Sequence, residues 1–493
     1  LILDDRVIDY AGLRTAAKKF ANALVSMGVK SGDKVAIMLP NVPEYVIAYY
    51  GILNTGAVVV PLNGLLQGPE VAYHLEDSDA VAFVAWESSL DAAQKGYEEA
   101  ENCKDLIVVE SPDGEGVPEG LTDFDELLAH QAAEFDVAPT MPDDTAVVIY
   151  TSGTTGRPKG AELSHFNLFF NAVYKADNLL NLREDDVGMA VLPLFHIFGQ
   201  TTVMNAGIYS GNTIAMIPRF EPEAALRTIQ TAGVTTFVGV PTMYQYLLRH
   251  PDAADYDTST LRIGISGGDS MPVEVLKNFE EKFGVVILEG YGLSETSPGA
   301  CFNRSSEERK VGSIGIPFWG VEIKVIDEDG EEAPVGERGE LVVRGHNVMK
   351  GYYKNPEATE ESIRNGWFHT GDVATKDEDG YFFIVDRVKD LVVRGGYNVY
   401  PREVEEAIYE HPGVAEVAVI GVPHEELGEE VVAVIAMKDD KSATEEEIIS
   451  FTQERIARYK YPRRITFMDE LPKTATGKIL KRELAEIGEE ATK

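Results

Sequence analysis

Two rhythms of hydrophobic positions alternate along the chain. Residues 11–28 repeat apolar side chains at helical spacing and stop at Gly28, and the unbroken run KVAIML (34–39) follows and ends at Pro40. A helical stretch, EYVIAYYGILNTG, then leads into AVVVPL (57–62). Spacing of three and four predicts an amphipathic helix, whereas a short continuous run closed by Gly or Pro predicts a strand covered on both faces. The alternation continues through VAFVA (81–85), LIVVE (106–110), AVVIYTSG (146–153), GMAVLP (188–193), TIAMIP (213–218), TTFVGVP (235–241), RIGISGG (262–268) and VVILEGYG (285–292). This predicts an α/β fold of stacked, mostly parallel sheets with helices. Ligands gather at the carboxyl ends of such strands, where several polar Gly-rich runs fall.

From about residue 311 the rhythm changes. GSIGIPFWGVEIKVIDEDGEEAPVGERGELVVRG splits its strands with DG and GE turns, predicting an antiparallel sheet or small β-barrel over about 311–387. Residues 388–493 return to α+β, with helix EVEEAIYEH, strands VAEVAVIGV and EVVAVIAMK, and helix EEEIISFTQERI. The boundary is expected near DRVKD (386–390), giving a large N-terminal domain over 1–387 and a smaller one over 388–493.

Composition narrows the class. A chain of 493 residues needs more than one core. Its apolar runs are far shorter than a bilayer span, and no basic stretch followed by an apolar core opens it. It begins at Leu1 beside a strand-like run, so a longer N-terminus is expected. Cys103 and Cys301 lack partner motifs, which fits a reducing cytoplasm and excludes a disulfide scaffold. With 82 acidic and 44 basic residues, net charge is −38. That field repels nucleic acid and anionic lipid, leaves at most peripheral membrane contact, and requires phosphate-bearing ligands to be held by local donors.

The strongest candidate for such donors is YTSGTTGRPKG (150–160), where a strand meets the helical start SHFNLFF. Gly153 and Gly156 permit close backbone approach, Thr151, Ser152, Thr154 and Thr155 bring hydroxyls, and Lys159 brings charge. The spacing is not that of a Walker A loop.

Together with YGLSET (291–296), TGD (370–372), DRVKD and PKTATGKILKREL (472–484), in that order, this loop resembles the adenylate-forming superfamily of acyl-CoA synthetases, firefly luciferase and peptide-synthetase adenylation domains. The resemblance covers essentially the whole chain. It implies an ATP-dependent acid–CoA ligase that makes an acyl-adenylate, releases pyrophosphate, and then transfers the acyl group to CoA. ATP and CoA would be cosubstrates, Mg2+ the cofactor, and a small carboxylic acid the third partner; a homodimer is left open. The wording looks most like bacterial long-chain fatty-acid–CoA ligases. Medium-chain and 4-coumarate-type aryl acids stay open, as do a carrier-loading adenylation enzyme and a non-catalytic nucleotide sensor.

The same resemblance implies residue roles. Tyr291, between Gly290 and Gly292, would lie against adenine, with the turn of Gly267 and Gly268 lining that pocket. Thr296 would meet the α-phosphate, and Glu295 with Thr151 the Mg2+. Asp372 and Arg387 would hold the ribose hydroxyls. His196 would border the acyl pocket beside Val240 and Pro241, in a positioning role. Lys478 would offset charge developing during adenylation, while Lys473 and Lys481 are expected to be solvated. Lys389 would be the hinge of a mobile C-terminal domain. Its rotation would bring Gly395, Gly396 and Tyr397 to CoA, although Gly395–Gly396 also suits a plain hairpin turn. The basic run ERIARYKYPRR (454–464) would meet CoA phosphates or pair with neighbouring acids. The pocket-wall segments VGVPTMYQYLL (238–248) and LEGYG (288–292) read as lacking an acid for an amino-acid ammonium.

Overall fold

The structure, a computed structural model, describes all residues except 113, 115, 152–156, 305–307, 425, 439–440 and 491–493, together with the side chains of 388 and 486–490. Four sheets carry the fold. The first, of eight strands, has a parallel body running from Thr145–Thr151 through Val58–Pro61, Lys34–Met38, Ala80–Trp86 and Asp105–Val109 to Thr122–Asp123. The second, of nine, runs parallel through Val286–Gly292, Ile263–Ser266, Thr236–Gly239, Val187–Ala190, Thr213–Met216 and Ile2–Leu3. Both are covered on their two faces, which is why their strands read as unbroken apolar runs.

The helix Pro43–Asn54 is buried along almost its entire length and shares one apolar core with strands of both large sheets. The joint is polar at its start. Asn41, 3% exposed, donates to the carbonyls of Ala190 (3.0 Å) and Leu192 (2.9 Å) and accepts from the Leu194 amide (2.8 Å). Tyr45 donates to the Leu194 carbonyl at 2.7 Å. These bonds fix the segment that delivers His196.

The parallel alternation expected from the sequence is present, with one strand unforeseen. Lys159–Ser164 pairs antiparallel with Thr145–Thr151 in the register Thr151↔Lys159, so the helical start after the Gly-rich run comes one strand later than expected. Its signal was the alternation of buried Ala161 and Leu163 around half-buried Glu162. The helix then begins at a capping box: Ser164 accepts from the Asn167 amide (3.1 Å) while Asn167 accepts from the Ser164 amide (2.7 Å).

Beyond residue 320 lies a five-stranded antiparallel sheet of Val321–Ile326, Gly339–Gly345, Ile363–Arg364, Trp367–Lys376 and Phe382–Arg387. The last sheet uses only strands from Val392–Arg394 onward and has its own apolar clusters. Among the described residues, no helix is long and apolar enough to cross a membrane.

Asn41→Ala removes three buried hydrogen bonds at the joint between the two large sheets. Loss of about 3 kcal/mol is expected, read as a lower urea midpoint with an unchanged slope; a change below about 1 kcal/mol would show that the joint does not depend on Asn41.

Candidate active site

The candidate residues leave the carboxyl ends of strands in both large sheets. Thr151 closes Thr145–Thr151, Val240 and Pro241 follow Thr236–Gly239, Gly267 and Gly268 follow Ile263–Ser266, and Gly290, Tyr291 and Gly292 close Val286–Gly292. Gly268 sits at φ +80, where a side chain is strained. Gly290 and Gly292 meet packing constraints of their own. A Cβ at Gly290 would lie 1.8 Å from the Phe302 ring, and one at Gly292 would lie 1.8 Å from the Pro298 carbonyl oxygen. Close packing with Gly299–Phe302 therefore already requires glycine at both.

Glu295 lies in the turn Ser294–Thr296 and is 9% exposed. Its carboxylate accepts from the Tyr352 hydroxyl at 2.9 Å and from the Thr151 side chain. Burial pushes its pKa above the usual carboxylate range, opposed by those bonds and by the charge of Arg387. The Lys159 ammonium stands 5.2 Å from the Tyr352 ring centre. Thr151, Lys159 and Glu295 are thus brought together, with Tyr352 as a member that sequence reasoning missed. No motif marks Tyr352; its short strand, Gly351–Tyr352, is placed only by pairing with Lys159–Ser164.

Thr296 is not available to a ligand. It is fully buried, its hydroxyl donates to the Pro298 carbonyl, and it accepts from the Leu293 amide at 2.9 Å. It fixes the turn that carries Glu295, and the half-buried hydroxyl residue of that turn is Ser294. Ser152, Gly153, Thr154, Thr155 and Gly156 lie outside the described residues.

Asp372 and Arg387 are cross-strand partners. Arg387 Nε is 3.1 Å from Asp372 Oδ1, and the Tyr291 hydroxyl donates to Asp372 Oδ2. Asp372 is 3% exposed, and these two partners meet one oxygen each. Tyr291 is tied by its hydroxyl to the carboxylate expected to hold ribose, with its ring beside the same site.

His196 caps the helix Ile197–Gly199. Its Nδ1 accepts from the Phe198 amide at 3.3 Å, so the ring proton resides on Nε2. Burial, and then the Lys478 charge, push its pKa down to about 4. The loop bearing Lys478 is a tight turn in which the Lys478 amide donates to Thr474 Oγ1 at 3.1 Å. Thr242 donates to the Gly477 carbonyl at 3.0 Å, and a Cβ at Gly477 would lie 3.1 Å from Val240. A Cβ at Gly267 would lie 3.1 Å from Phe198. His196, Phe198, Val240, Pro241, Gly267 and the Lys478 loop therefore converge.

Lys473 and Lys481 are not solvated as expected. Lys473 lies 3.1 Å from Glu416 and 2.8 Å from Glu470 and donates to Tyr246 at 2.9 Å, while Lys481 pairs with Glu405 at 2.7 Å. The wall run LEGYG does contain a buried acid, Glu289, whose pKa burial pushes up to about 7. Its carboxylate accepts from the Gly312 amide at 2.9 Å. In the basic run, Arg455 bonds Glu410 at 2.9 Å and Lys460 pairs with Glu403, so these two cations are held by neighbouring acids.

Lys389 occupies the turn Val388–Asp390, between the antiparallel sheet and the last sheet. Gly395 and Gly396, at φ +57 and +82, form the exposed hairpin between Val392–Arg394 and Tyr397–Val399. Tyr397 is 61% exposed, with its ring 5.0 Å from that of Tyr459. Among the described residues, no hydrogen bond or ring contact joins this hairpin to Glu295, Asp372 or Lys478.

Comparison with known proteins identifies the fold and the residues gathered here as those of an adenylate-forming enzyme. A family model described as AMP-binding enzyme matches residues 1–353, and one described as AMP-binding enzyme C-terminal domain matches 403–478. The chain belongs to the AMP-binding enzyme family. It is similar to the long-chain-fatty-acid–CoA ligase of Bacillus subtilis (strain 168), 39% identical over 97% of this chain and 90% of that protein. It is similar also to the feruloyl-CoA synthase of an Amycolatopsis species, 38% identical over 97% and 93%. The crystal structure of the anthranilate CoA ligase AuaEII in complex with anthranoyl-AMP superposes with a TM-score of 0.93 at 30% identity, covering 100% of this chain and 94% of that one.

His196 has a folded-state pKa of about 4, below its unfolded value, so the unfolded chain binds the extra proton between those limits. Its contribution is intact above about pH 6.5 and is lost as pH falls toward 4, by up to about 3 kcal/mol. Urea titrations at pH 7 and pH 4.5 should show wild type losing more stability than His196→Asn; equal losses would contradict the buried neutral imidazole.

Proposed function

We propose that this chain is an acid–CoA ligase that activates a carboxylic acid as its adenylate and then transfers the acyl group to CoA. The observation that carries the reading is the Lys478 loop seated against Val240 and Thr242, with its charge felt by His196. A carboxylate bound beside His196 is already a nucleophile and needs no base. The Lys478 ammonium would offset negative charge gathering between the attacking oxygen and the α-phosphate. Neutral His196, with its Nε2 proton, would orient the acid.

Asp372 and Arg387 would fix the ribose, with adenine against Tyr291 and the turn of Gly267 and Gly268. Thr151, Lys159 and the residues between them would wrap the β- and γ-phosphates, and Ser294 would supply the hydroxyl that Thr296 cannot. Mg2+ fits this donor set: Glu295 is a buried carboxylate with the Thr151 hydroxyl beside it. Among the described residues there is no cluster of three or more acidic, His or Cys ligands, so phosphate and water oxygens would complete the shell. Bound there, the cation would neutralise phosphate charge.

The second half-reaction needs Lys478 withdrawn and a path for the pantetheine thiol. We place the hinge at Lys389, between domains 1–387 and 388–493, and the CoA contact at Gly395, Gly396 and Tyr397. The exposure of that hairpin while Lys478 is docked supports two alternating arrangements.

For the acid itself we propose long-chain fatty acids, supported by the likeness to the Bacillus ligase. An aryl acid is the second reading, favoured by the feruloyl-CoA synthase at 38% identity. ATP–pyrophosphate exchange over a panel of alkyl and aryl acids, followed by thioester formation with CoA, tests the whole. Exchange without thioester would point to carrier loading, and no exchange with any acid would overturn the reading.

Lys478→Ala is expected to lose adenylation by at least about a hundredfold while still forming thioester from supplied acyl-adenylate and CoA. Equal loss of both half-reactions would contradict the assignment of Lys478 to the first.

A further inference from the structure

Lys175 has no part in the nucleotide chemistry above, and its setting is costly. It is 0% exposed, and its Nζ has no hydrogen-bond partner. Burial pushes its pKa well below the usual lysine range, and among the described residues no acid opposes the shift. An unpaired buried ammonium costs several kcal/mol, and a buried neutral amine still forgoes its hydrogen bonds. A surface-seeking side chain of this length is rarely enclosed without an acceptor.

Its position gives the enclosure a purpose. Lys175 opens the π-helical segment Lys175–Leu180, which continues the helix His165–Tyr174. Asn171, four residues earlier, donates to the Gly299 carbonyl at 3.1 Å and to the Thr296 carbonyl at 3.3 Å. That face of the helix therefore abuts the turn carrying Glu295. The next turn carries Lys175 about 6 Å further from it, at 1.5 Å per residue.

A second helical run packs against the first. It begins after His196 and includes the π-helical segment Gln200–Asn205. Thr201 and Thr202 on it are buried, and their hydroxyls also lack partners. They lie five and six residues past His196, between one and two turns along their helical run. Two adjacent helices, one meeting the turn of Glu295 through Asn171 and the other beginning beside His196, thus carry three enclosed, unsatisfied polar groups one to two turns beyond those points. π-helical turns recur at functional sites because they displace a side chain from its regular row.

We propose that Lys175, with Thr201 and Thr202, forms a polar subsite in the wall of the acyl pocket that receives an oxygen-bearing group of the acid remote from its carboxylate. The inference rests on the acid–CoA ligase reading and narrows it: among the alkyl and aryl acids of that reading, the preferred ones are hydroxylated, oxo or dicarboxylic chains or phenolic aryl acids. From helix rise, the second oxygen lies on the order of 6–10 Å from the reacting carboxylate. Lys175 is a specificity-determining residue, since a site that hydrogen-bonds a substrate oxygen rejects the analogue that lacks it.

Matched pairs test this by pyrophosphate release: octanoate against 8-hydroxyoctanoate and suberate, and cinnamate against 4-hydroxycinnamate. Wild type is expected to favour an oxygenated member in kcat/KM by about tenfold or more, and Lys175→Met to lose that preference chiefly through KM. Thr202→Val should weaken the same preference and gives a second readout should Lys175→Met fold poorly. Turnover in which wild type favours the unsubstituted member of every pair, or a preference untouched by both variants, overturns the inference alone. No turnover with any acid overturns the ligase reading together with it.

Discussion

Like charges crowd at one edge of a strongly acidic molecule, and the site is organised around that crowding. Arg387, Lys389 and Lys478 approach closely enough that burial, Arg387 and Lys478 together lower the pKa of Lys389, while Lys478 also disfavours protonation of His196. Asp372, paired with Arg387, and Asp390 partly offset them. In a chain of net charge −38 such a grouping of cations stands out from the general surface. A polyphosphate bound there, as proposed, would relieve the repulsion and recover free energy spent in assembling these cations.

The crowding depends on a seam that holds the C-terminal sheet against the helix Pro241–Arg249. Thr242 bonds Gly477, Tyr246 bonds Glu470 at 2.6 Å and receives Lys473, and Arg249 bonds the Ala415 carbonyl. These contacts are polar and few beside the apolar joint between the two large sheets. A seam of that kind can be released without unfolding either side, which suits the proposed withdrawal of Lys478 ahead of the thiol.

How much was legible in the sequence follows from which signals are local. The parallel strands read directly, because burial on both faces leaves unbroken apolar runs. Lys159–Ser164 did not, because its alternation is only a few residues long and adjoins a Gly-rich run. Motif order brought Glu295, Asp372, Arg387, His196 and Lys478 to attention. It could not show that Thr296 spends its hydroxyl on Pro298 or that Gly290 and Gly292 are packing glycines. Lys473 and Lys481 looked solvated because their acidic partners are distant in sequence. Tyr352 and Lys175 carry no motif at all; one is placed by a strand pairing, the other by two helices closing over it.

The account stands on a nucleotide triphosphate occupying the edge where these cations meet. A crystal structure with a non-hydrolysable ATP analogue and Mg2+ tests this most directly. It should show the ribose hydroxyls bonded to Asp372, the cation at Glu295, and the phosphates between the segment from Thr151 to Lys159 and the Lys478 loop. Phosphates lying away from that segment, with Glu295 and Asp372 contacting no part of the ligand, would contradict it.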